Sequence, residues 1–410
     1  MESINSNVTQ TQTQTQNNDE SENKNSSEND KHEIITCESF EQMNLNENLL
    51  RGIYAYGWDK PSYVQQKGIL PVINGNEVIC QAQSGCGKTG TFSISAIQKI
   101  KPDIKTCQVI ILSPTREIAD QTLIVIRKLS TFLDIKISGV IGGKKLNNKD
   151  VSESQIIVAT PGRVFDMINR GIINMETVHL FCIDEADQML DRGFKEQMYS
   201  IFQFVPPSAQ FALYSATMPP DILEIITTFM SKPIKILVKK EQLTLDGIQQ
   251  FFVSLDSEQN KYDTLCDLYS TFSIAQSMIY CSSKKKVSWL ADKLETNGFP
   301  ISQIHGDITQ TDRDKIMTEF RVGKTRVLIT TDLLARGIDV QQVSVVINYD
   351  LPRDRESYIH RIGRTGRYGR KGTAINFIAS QNDAVKMRDI EVYYNTQIEE
   401  MPANISEIVK

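Results

Sequence analysis

Short apolar runs recur along the first half of the chain between longer stretches of helical periodicity: Val78 to Cys80, Val109 to Leu112, Ile156 to Ala159, Leu180 to Ile183, Phe211 to Tyr214 and Ile234 to Val238. Short apolar runs bounded by polar turns read as buried strands, and strands that alternate with helices predict a parallel sheet covered on both faces. The series breaks at a charged stretch, Lys239-Lys240-Glu241-Gln242, and resumes with Phe251 to Val253, Met278 to Tyr280, Val327 to Thr330, Val345 to Asn348 and Ala374 to Ile378. This pattern predicts an α/β protein with two parallel-sheet domains in tandem, residues 34–238 and 249–410, joined by a linker at 239–248. Residues 1–33 stand apart. Thr and Gln alternate from Thr9 to Gln16, followed by Asn, Asp, Glu and Ser, a composition that cannot bury a core and predicts a disordered tail.

Length and composition fit this picture. A chain of 410 residues has room for about two cores, and 40% hydrophobic with 23% charged residues is the balance of a soluble globular protein. No apolar stretch is long enough to span a bilayer, and the N-terminal residues lack the apolar core of a secretory signal, so the expected location is the cytoplasm, or the nucleus. Seven cysteines and four histidines are scattered without a CxxC pair, which predicts reduced thiols and neither disulfides nor a zinc cluster. The net charge of -5 is unusual for a protein that binds nucleic acid. Its location matters more than its size. Residues 1–33 carry seven acids against Lys24 and Lys31, so residues 34–410 are neutral overall and leave room for local basic patches.

Two segments carry chemistry. Ala82-Gln83-Ser84-Gly85-Cys86-Gly87-Lys88-Thr89 follows a strand-like run and precedes a helix-like one, the order in which backbone N–H groups and a helix N-terminus cradle phosphate. In such a loop Lys88 reaches the β and γ phosphates and the Thr89 hydroxyl binds Mg2+. Ala82 stands where the strict pattern has its first glycine. Further along, Asp184-Glu185-Ala186-Asp187 closes the run Leu180 to Ile183, placing three carboxylates at the carboxyl end of a strand, where open parallel sheets bind ligands. Acidic groups there can hold hydrated magnesium and direct a water. An acidic loop tip alone is more often merely solvated; the upstream phosphate loop is what changes the balance.

With these segments in place, the chain resembles the DEAD-box RNA helicases from Phe40 to its C-terminus. The family's motifs occur in order: Gly57-Trp58-Asp59-Lys60-Pro61 with Gln65, the phosphate loop, Pro114-Thr115-Arg116-Glu117-Ile118-Ala119, Gly142-Gly143, Thr160-Pro161-Gly162-Arg163, the acidic tetrad, Ser215-Ala216-Thr217, Ala335-Arg336-Gly337-Ile338-Asp339, and His360-Arg361-Ile362-Gly363-Arg364-Thr365-Gly366-Arg367. Trp58 stands where the family usually has phenylalanine, and Cys86 where it has threonine.

The resemblance implies two RecA-like domains with an ATP cleft between them and RNA lying across both. Gln65 would read the adenine edge, its amide offering both donor and acceptor, and Trp58 would stack on the base. Ser84, Gly85, Cys86, Gly87, Lys88 and Thr89 would hold the phosphates. Asp184 would hold Mg2+ through water, Glu185 would position or deprotonate the attacking water, and Asp187 would link ATP to Ser215, Thr217 and His360. Asp339 would meet the ribose, while Arg364 and Arg367 would reach the γ-phosphate as arginine fingers. Pro114, Thr115, Arg116, Gly142, Gly143, Thr160, Pro161, Gly162, Arg163, Gln310, Arg313, Thr330 and Gly337 match positions that touch the RNA backbone, contacts that respond to salt and carry no sequence information.

Within the family the chain looks like the branch that serves cap-dependent translation initiation. That likeness implies an RNA-stimulated ATPase that unwinds short duplexes, acts as a monomer outside its complex, and has the scaffold initiation factor 4G and the accessory factor 4B as partners. The alternative from a different class is an ATP-gated RNA clamp of an exon-junction type complex. Pro206-Pro207 and Tyr393-Tyr394 look more like that paralogue.

Overall fold

A computed structural model describes residues 36–83, 85–189, 195–237, 247–271, 274–332, 343–366 and 372–402. The expected tail 1–33 lies outside these residues, as do most of the expected linker 239–248 and Val238. Residues 34–410 form one compact unit.

The first half contributes β1 (Val78–Gln81), β2 (Val109–Leu112), β3 (Ile137–Val140), β4 (Ile156–Ala159), β5 (Leu180–Ile183), β6 (Gln210–Ser215) and β7 (Ile234–Leu237). The second contributes β8 (Ile248–Ser254), β9 (Ser277–Tyr280), β10 (Ile301–Ile304), β11 (Val327–Thr330), β12 (Val345–Asn348), β13 (Gly372–Ile378) and β14 (Glu399–Glu400). They build two seven-stranded sheets, ordered β3-β4-β2-β5-β6-β1-β7 and β10-β11-β9-β12-β13-β8-β14, with every neighbouring pair parallel. Among the described residues helices fill the crossovers, as parallel pairing requires, and most of the connection from β11 to β12 lies outside those residues. The strand-and-helix reading of the sequence therefore holds, and β8 starts at Ile248, the last residue of the expected linker.

The central strands read as unbroken apolar runs because both of their faces are covered. Along β2, Val109 and Ile111 enter one core and Ile110 and Leu112 the other; β5 splits the same way, with Leu180 and Cys182 opposed to Phe181 and Ile183. The second sheet repeats this, with Ile279, Ile329 and Ile347 on one side and Met278, Leu328 and Val346 on the other. Three strands escaped the sequence reading: β3, β10 and β14. The first two lie at sheet edges and carry Ser138-Gly139 and Ser302-Gln303, and β14 is a pair of exposed glutamates at the opposite edge of the second sheet. Among the described residues no helix is long and apolar enough to cross a membrane.

Candidate functional site

The phosphate loop leaves β1 and turns into the helix Lys88–Gln98. Gly85 (φ 87°) and Gly87 (φ 98°) take left-handed backbone conformations that favour glycine. At Gly87 there is no room either, since a Cβ would come within 2.3 Å of Ser62 Oγ. Lys88, only 5% exposed, folds back to donate to the Ala82 carbonyl at 2.7 Å and lies 3.9 Å from Glu185 Oε1. Thr89 and Cys86 are half-buried, and Ser84 lies outside the described residues.

The segment expected to read adenine is attached to this loop. Ser62 caps the helix Tyr63–Ile73 in a reciprocal capping box with Gln65, whose Oε1 accepts from the Ser62 N–H at 2.8 Å. Ser62 Oγ donates to the Cys86 carbonyl at 2.7 Å, and Gln65 Nε2 donates to the Gly87 carbonyl at 3.4 Å. Both ends of the Gln65 amide are thus engaged by backbone. Trp58 and Gln65 close over Gly90, where a Cβ would meet the Trp58 ring at 2.9 Å and Gln65 Nε2 at 2.3 Å.

At the end of β5, the Asp184 N–H donates to the Leu112 carbonyl of β2, and Asp184 Oδ1 accepts from the Glu185 N–H at 3.0 Å. Glu185 itself has φ 49°, a strained conformation for a residue with a Cβ and one found preferentially at functional sites. Asp184, Glu185 and Asp187 are all buried. Burial first, and the neighbouring Glu185 charge second, push the Asp184 carboxyl up to about 8 against the partial compensation of Lys88. Glu185 Oε2 is buried without a hydrogen-bond partner. Asp187 is held tightly: Thr217 Oγ1 donates to Oδ2 at 2.6 Å, and the Asp187 N–H donates to Ser215 Oγ at 3.3 Å.

The second half reaches this cluster through the helix Arg355–Ile362, whose N-cap Asp354 accepts from the Ser357 N–H at 2.6 Å. His360, near the helix C-terminus, places Nε2 2.8 Å from Asp187 Oδ2. Arg364 is 2% exposed and donates through Nε to the His360 carbonyl. Arg361, between them, is internal scaffolding: its guanidinium bonds both oxygens of Asp332, the Asn348 side chain and the Asp350 carbonyl. Gly337, Asp339 and Arg367 lie outside the described residues.

Residues assigned to RNA fall into three situations. Arg116, Gln310 and Arg313 meet across the halves: Arg116 Nη1 donates to Gln310 Oε1 at 3.3 Å, over Gly143, where a Cβ would press on the guanidinium at 2.8 Å, while Gly142 lies against the same group. Glu117 accepts from Arg313 at 3.4 Å and from Gln310 at 3.5 Å, and Arg313 also donates to the His305 and Gly306 carbonyls. Others shape helix starts. Thr115, after Pro114, caps the helix Arg116–Leu129 by accepting from the Ile118 N–H, and Thr160 precedes Pro161–Asn169, where Pro161 takes the first turn, Gly162 faces Gln197 and Arg163 pairs with Asp166 at 3.2 Å. Thr330 is turned inward, its hydroxyl 2.8 Å from the Ile304 carbonyl. Glu117 was given no role in the sequence reading. The available signal was a glutamate in the first turn beside an assigned arginine, and only its partners 193 and 196 residues away give it meaning.

Comparison with known proteins agrees with this geometry. Residues 62–225 match the DEAD/DEAH box helicase model and residues 260–369 the helicase conserved C-terminal domain. The chain is 56% identical to the ATP-dependent RNA helicase eIF4A of Chaetomium globosum over 91% of its own length and 95% of that relative's, and 55% identical to the eIF4A of Neurospora crassa with the same coverage. Among solved structures it is similar to Saccharomyces cerevisiae Dbp5 bound to RNA and ADP BeF3, with TM-score 0.86 and 36% identity over 90% of this chain and 97% of that one.

Proposed function

The chain belongs to the DEAD/DEAH box helicase family, and from that premise we propose how its residues carry out ATP-dependent RNA unwinding in translation initiation. It is an ATP-dependent RNA helicase: it uses ATP, it binds RNA, and the relatives that share more than half its residues are initiation factors of the eIF4A type. The observation that carries the mechanism is the 2.8 Å contact between Asp187 and His360, which joins the acidic strand end of the first half to the basic helix of the second.

ATP enters with its phosphates on the backbone amides of residues 84–89, and Lys88 exchanges the Ala82 carbonyl for phosphate oxygens. Gln65 and Trp58 take the adenine; because Gln65 also caps its own helix and binds the Gly87 carbonyl, base recognition and loop position change together. Glu185 positions or deprotonates the attacking water, and Arg364, with Arg367, neutralises charge on the γ-phosphate. Asp187, Ser215, Thr217 and His360 form the coupling path. The acidic end of β5 fits a divalent cation: Asp184, Glu185 and Asp187 are all buried there, and the Asp184 carboxyl is pushed up for want of counter-charge. Asp184, through water, and Thr89 would hold Mg2+, which when bound neutralises phosphate charge.

RNA lies along the residues that meet between the halves, Arg116, Gly143, Gln310 and Arg313, so closure and RNA binding favour one another by linkage. Contacts to phosphates and sugars make the protein sequence-tolerant, with preference for RNA resting on the 2′-hydroxyl. Initiation factors 4G and 4B are the proposed partners and the cytoplasm the proposed location. The exon-junction clamp is not favoured, since the curated relatives reported above carry the initiation factor's name. The test combines RNA-stimulated ATPase activity with strand separation of a short RNA duplex and recovery with the cap-binding complex. Stimulation by single-stranded DNA equal to that by RNA, or hydrolysis without strand separation, overturns the reading.

A further inference from the structure

We propose that Glu185, Asp187 and His360 form a binding site for a borderline transition-metal ion such as Zn2+, separate from the magnesium position, and that the bound ion ties the two halves of the molecule together. One ligand atom from each of the three residues lies within 4.8 Å of the others, and all three residues are buried. A second observation is independent of that clustering: the Glu185 side chain is 4% exposed, and its Oε2 has no hydrogen-bond partner. A buried, unpaired carboxylate oxygen is an unmet demand for a donor or a cation.

The ligand chemistry selects the ion. One imidazole nitrogen and two carboxylate oxygens are a zinc-type set of three protein ligands that leaves a fourth position for water. Magnesium prefers octahedral oxygen ligands and keeps its waters, so the imidazole discriminates against it, whereas affinity rises toward the later first-row divalent metals. The expectation from cysteine spacing was that zinc has no site here; this cluster needs no cysteine. In a tetrahedral site two ligand atoms stand about 3.3 Å apart, so the Asp187–His360 pair, 2.8 Å apart as a hydrogen bond, opens only slightly to admit the ion. Lys88, 3.9 Å from Glu185 Oε1, is the cation it competes with.

Asp187 and His360 are 173 residues apart in sequence, one in the short helix Ala186–Met189 that follows β5 and the other on the helix Arg355–Ile362. An ion held by both resists separation of the halves, and by occupying Glu185 it slows hydrolysis without blocking the phosphate loop. The kinetic consequence rests on the role proposed for Glu185; the binding itself does not.

The experiment uses the full chain, nucleotide-free and stripped of metal, titrated with zinc sulfate against a chromophoric chelator. Wild type is expected to bind one Zn2+ about tenfold or more tightly than Glu185→Gln or His360→Gln, and zinc should raise the thermal midpoint of wild type alone. X-ray absorption at the zinc edge should give a nitrogen and oxygen shell without sulfur. That result separates the site from the cysteine thiols, of which those of Cys86 and Cys266 are only half-buried. Equal zinc affinity in wild type and Glu185→Gln, or a sulfur-dominated shell, overturns the proposal. Glu185→Gln retains both partners of the Asp187–His360 pair, so it decides the matter even where His360→Gln folds poorly. RNA-stimulated ATPase activity in magnesium without zinc is measured in parallel. Its absence would refute the helicase mechanism and leave the zinc titration untouched, and the reverse outcome would do the opposite.

Discussion

The ends of β5 and β12 invite comparison, because each strand is fourth in its sheet and each is followed by a buried aspartate, Asp184 and Asp350. Burial pushes both carboxyls upward. At Asp184 it wins: Glu185 adds repulsion, and only Lys88 and the Glu185 N–H oppose it, leaving the group at about 8. At Asp350 the hydrogen bond from Lys286, the Ser282 N–H and the charge of Lys261 overcome burial and set the group at about 2. Lys261 Nζ stands 3.1 Å and Lys286 Nζ 2.7 Å from Asp350 Oδ1. One strand end therefore carries its own counter-charges and is finished as structure. The other has only Lys88 and the Glu185 N–H to set against burial and repulsion, and the proposed cation site rests on that shortage.

The comparison can be broken in four ways. Glu185→Gln should lower RNA-stimulated turnover by about 10³-fold, in the range for loss of a general base, while equilibrium binding of ATP and RNA persists; near-normal turnover would remove Glu185 from the chemistry. Asp350→Ala, at the finished end, should destabilise the fold by about 3 kcal/mol, because it strips a partner from the buried Lys261. Denaturant titration measures this, and a loss within experimental error would mean that Glu258, 2.6 Å from Lys261, suffices alone.

The pH dependence should have opposite signs at the two ends. Asp184 binds a proton more readily when folded, so its contribution is fully present below the unfolded value of 3.8 and is lost as pH rises through about 8. Asp350 binds its proton less readily when folded, so its contribution is present above 3.8 and is lost as pH falls through about 2. Thermal unfolding between pH 5 and 8, without nucleotide, should show a shallower decline in Asp184→Asn than in wild type, and acid unfolding a shallower decline in Asp350→Asn. Parallel pH profiles for wild type and Asp184→Asn would contradict the strained, under-compensated state assigned to the β5 end. The smallest effect is expected at Glu117→Gln, which weakens the contacts to Arg313 and Gln310. RNA affinity should change by about tenfold or less, within the range of one coupling contact, read from RNA titrations with and without ATP.

Much of the fold was legible in the residues. Buried parallel strands need apolar side chains on both faces, and those runs stand out at β2, β4, β5, β11 and β12. The edge strands β3 and β10 did not, because one side of an edge tolerates Ser138, Gly139, Ser302 and Gln303. The phosphate loop and acidic tetrad were legible for a local reason: their glycines, lysine and carboxylates act through spacing within a single turn. Gln65 was legible as a ligand but not as the cap that binds the Gly87 carbonyl. Arg361 stood out in the sequence only as part of the motif His360 to Arg367, with no role of its own, yet it is internal and bonded to Asp332, Asn348 and Asp350.

By itself, then, the sequence determined the alternation of strand and helix, the two sheets, and which residue types stand at each strand's carboxyl end. These follow from periodicity and from turns a few residues long, where the chain cannot arrange itself otherwise. The tertiary structure decided which of the buried carboxylates are neutralised. Asp184 and Asp350 are the same residue after similar strands, and their opposite states depend on whether lysines from distant helices come within bonding distance. Charge interactions act through space and are strongest where water is excluded, so the sequence marked the acidic tetrad but could not show that Asp184 lacks the counter-charges that Asp350 has.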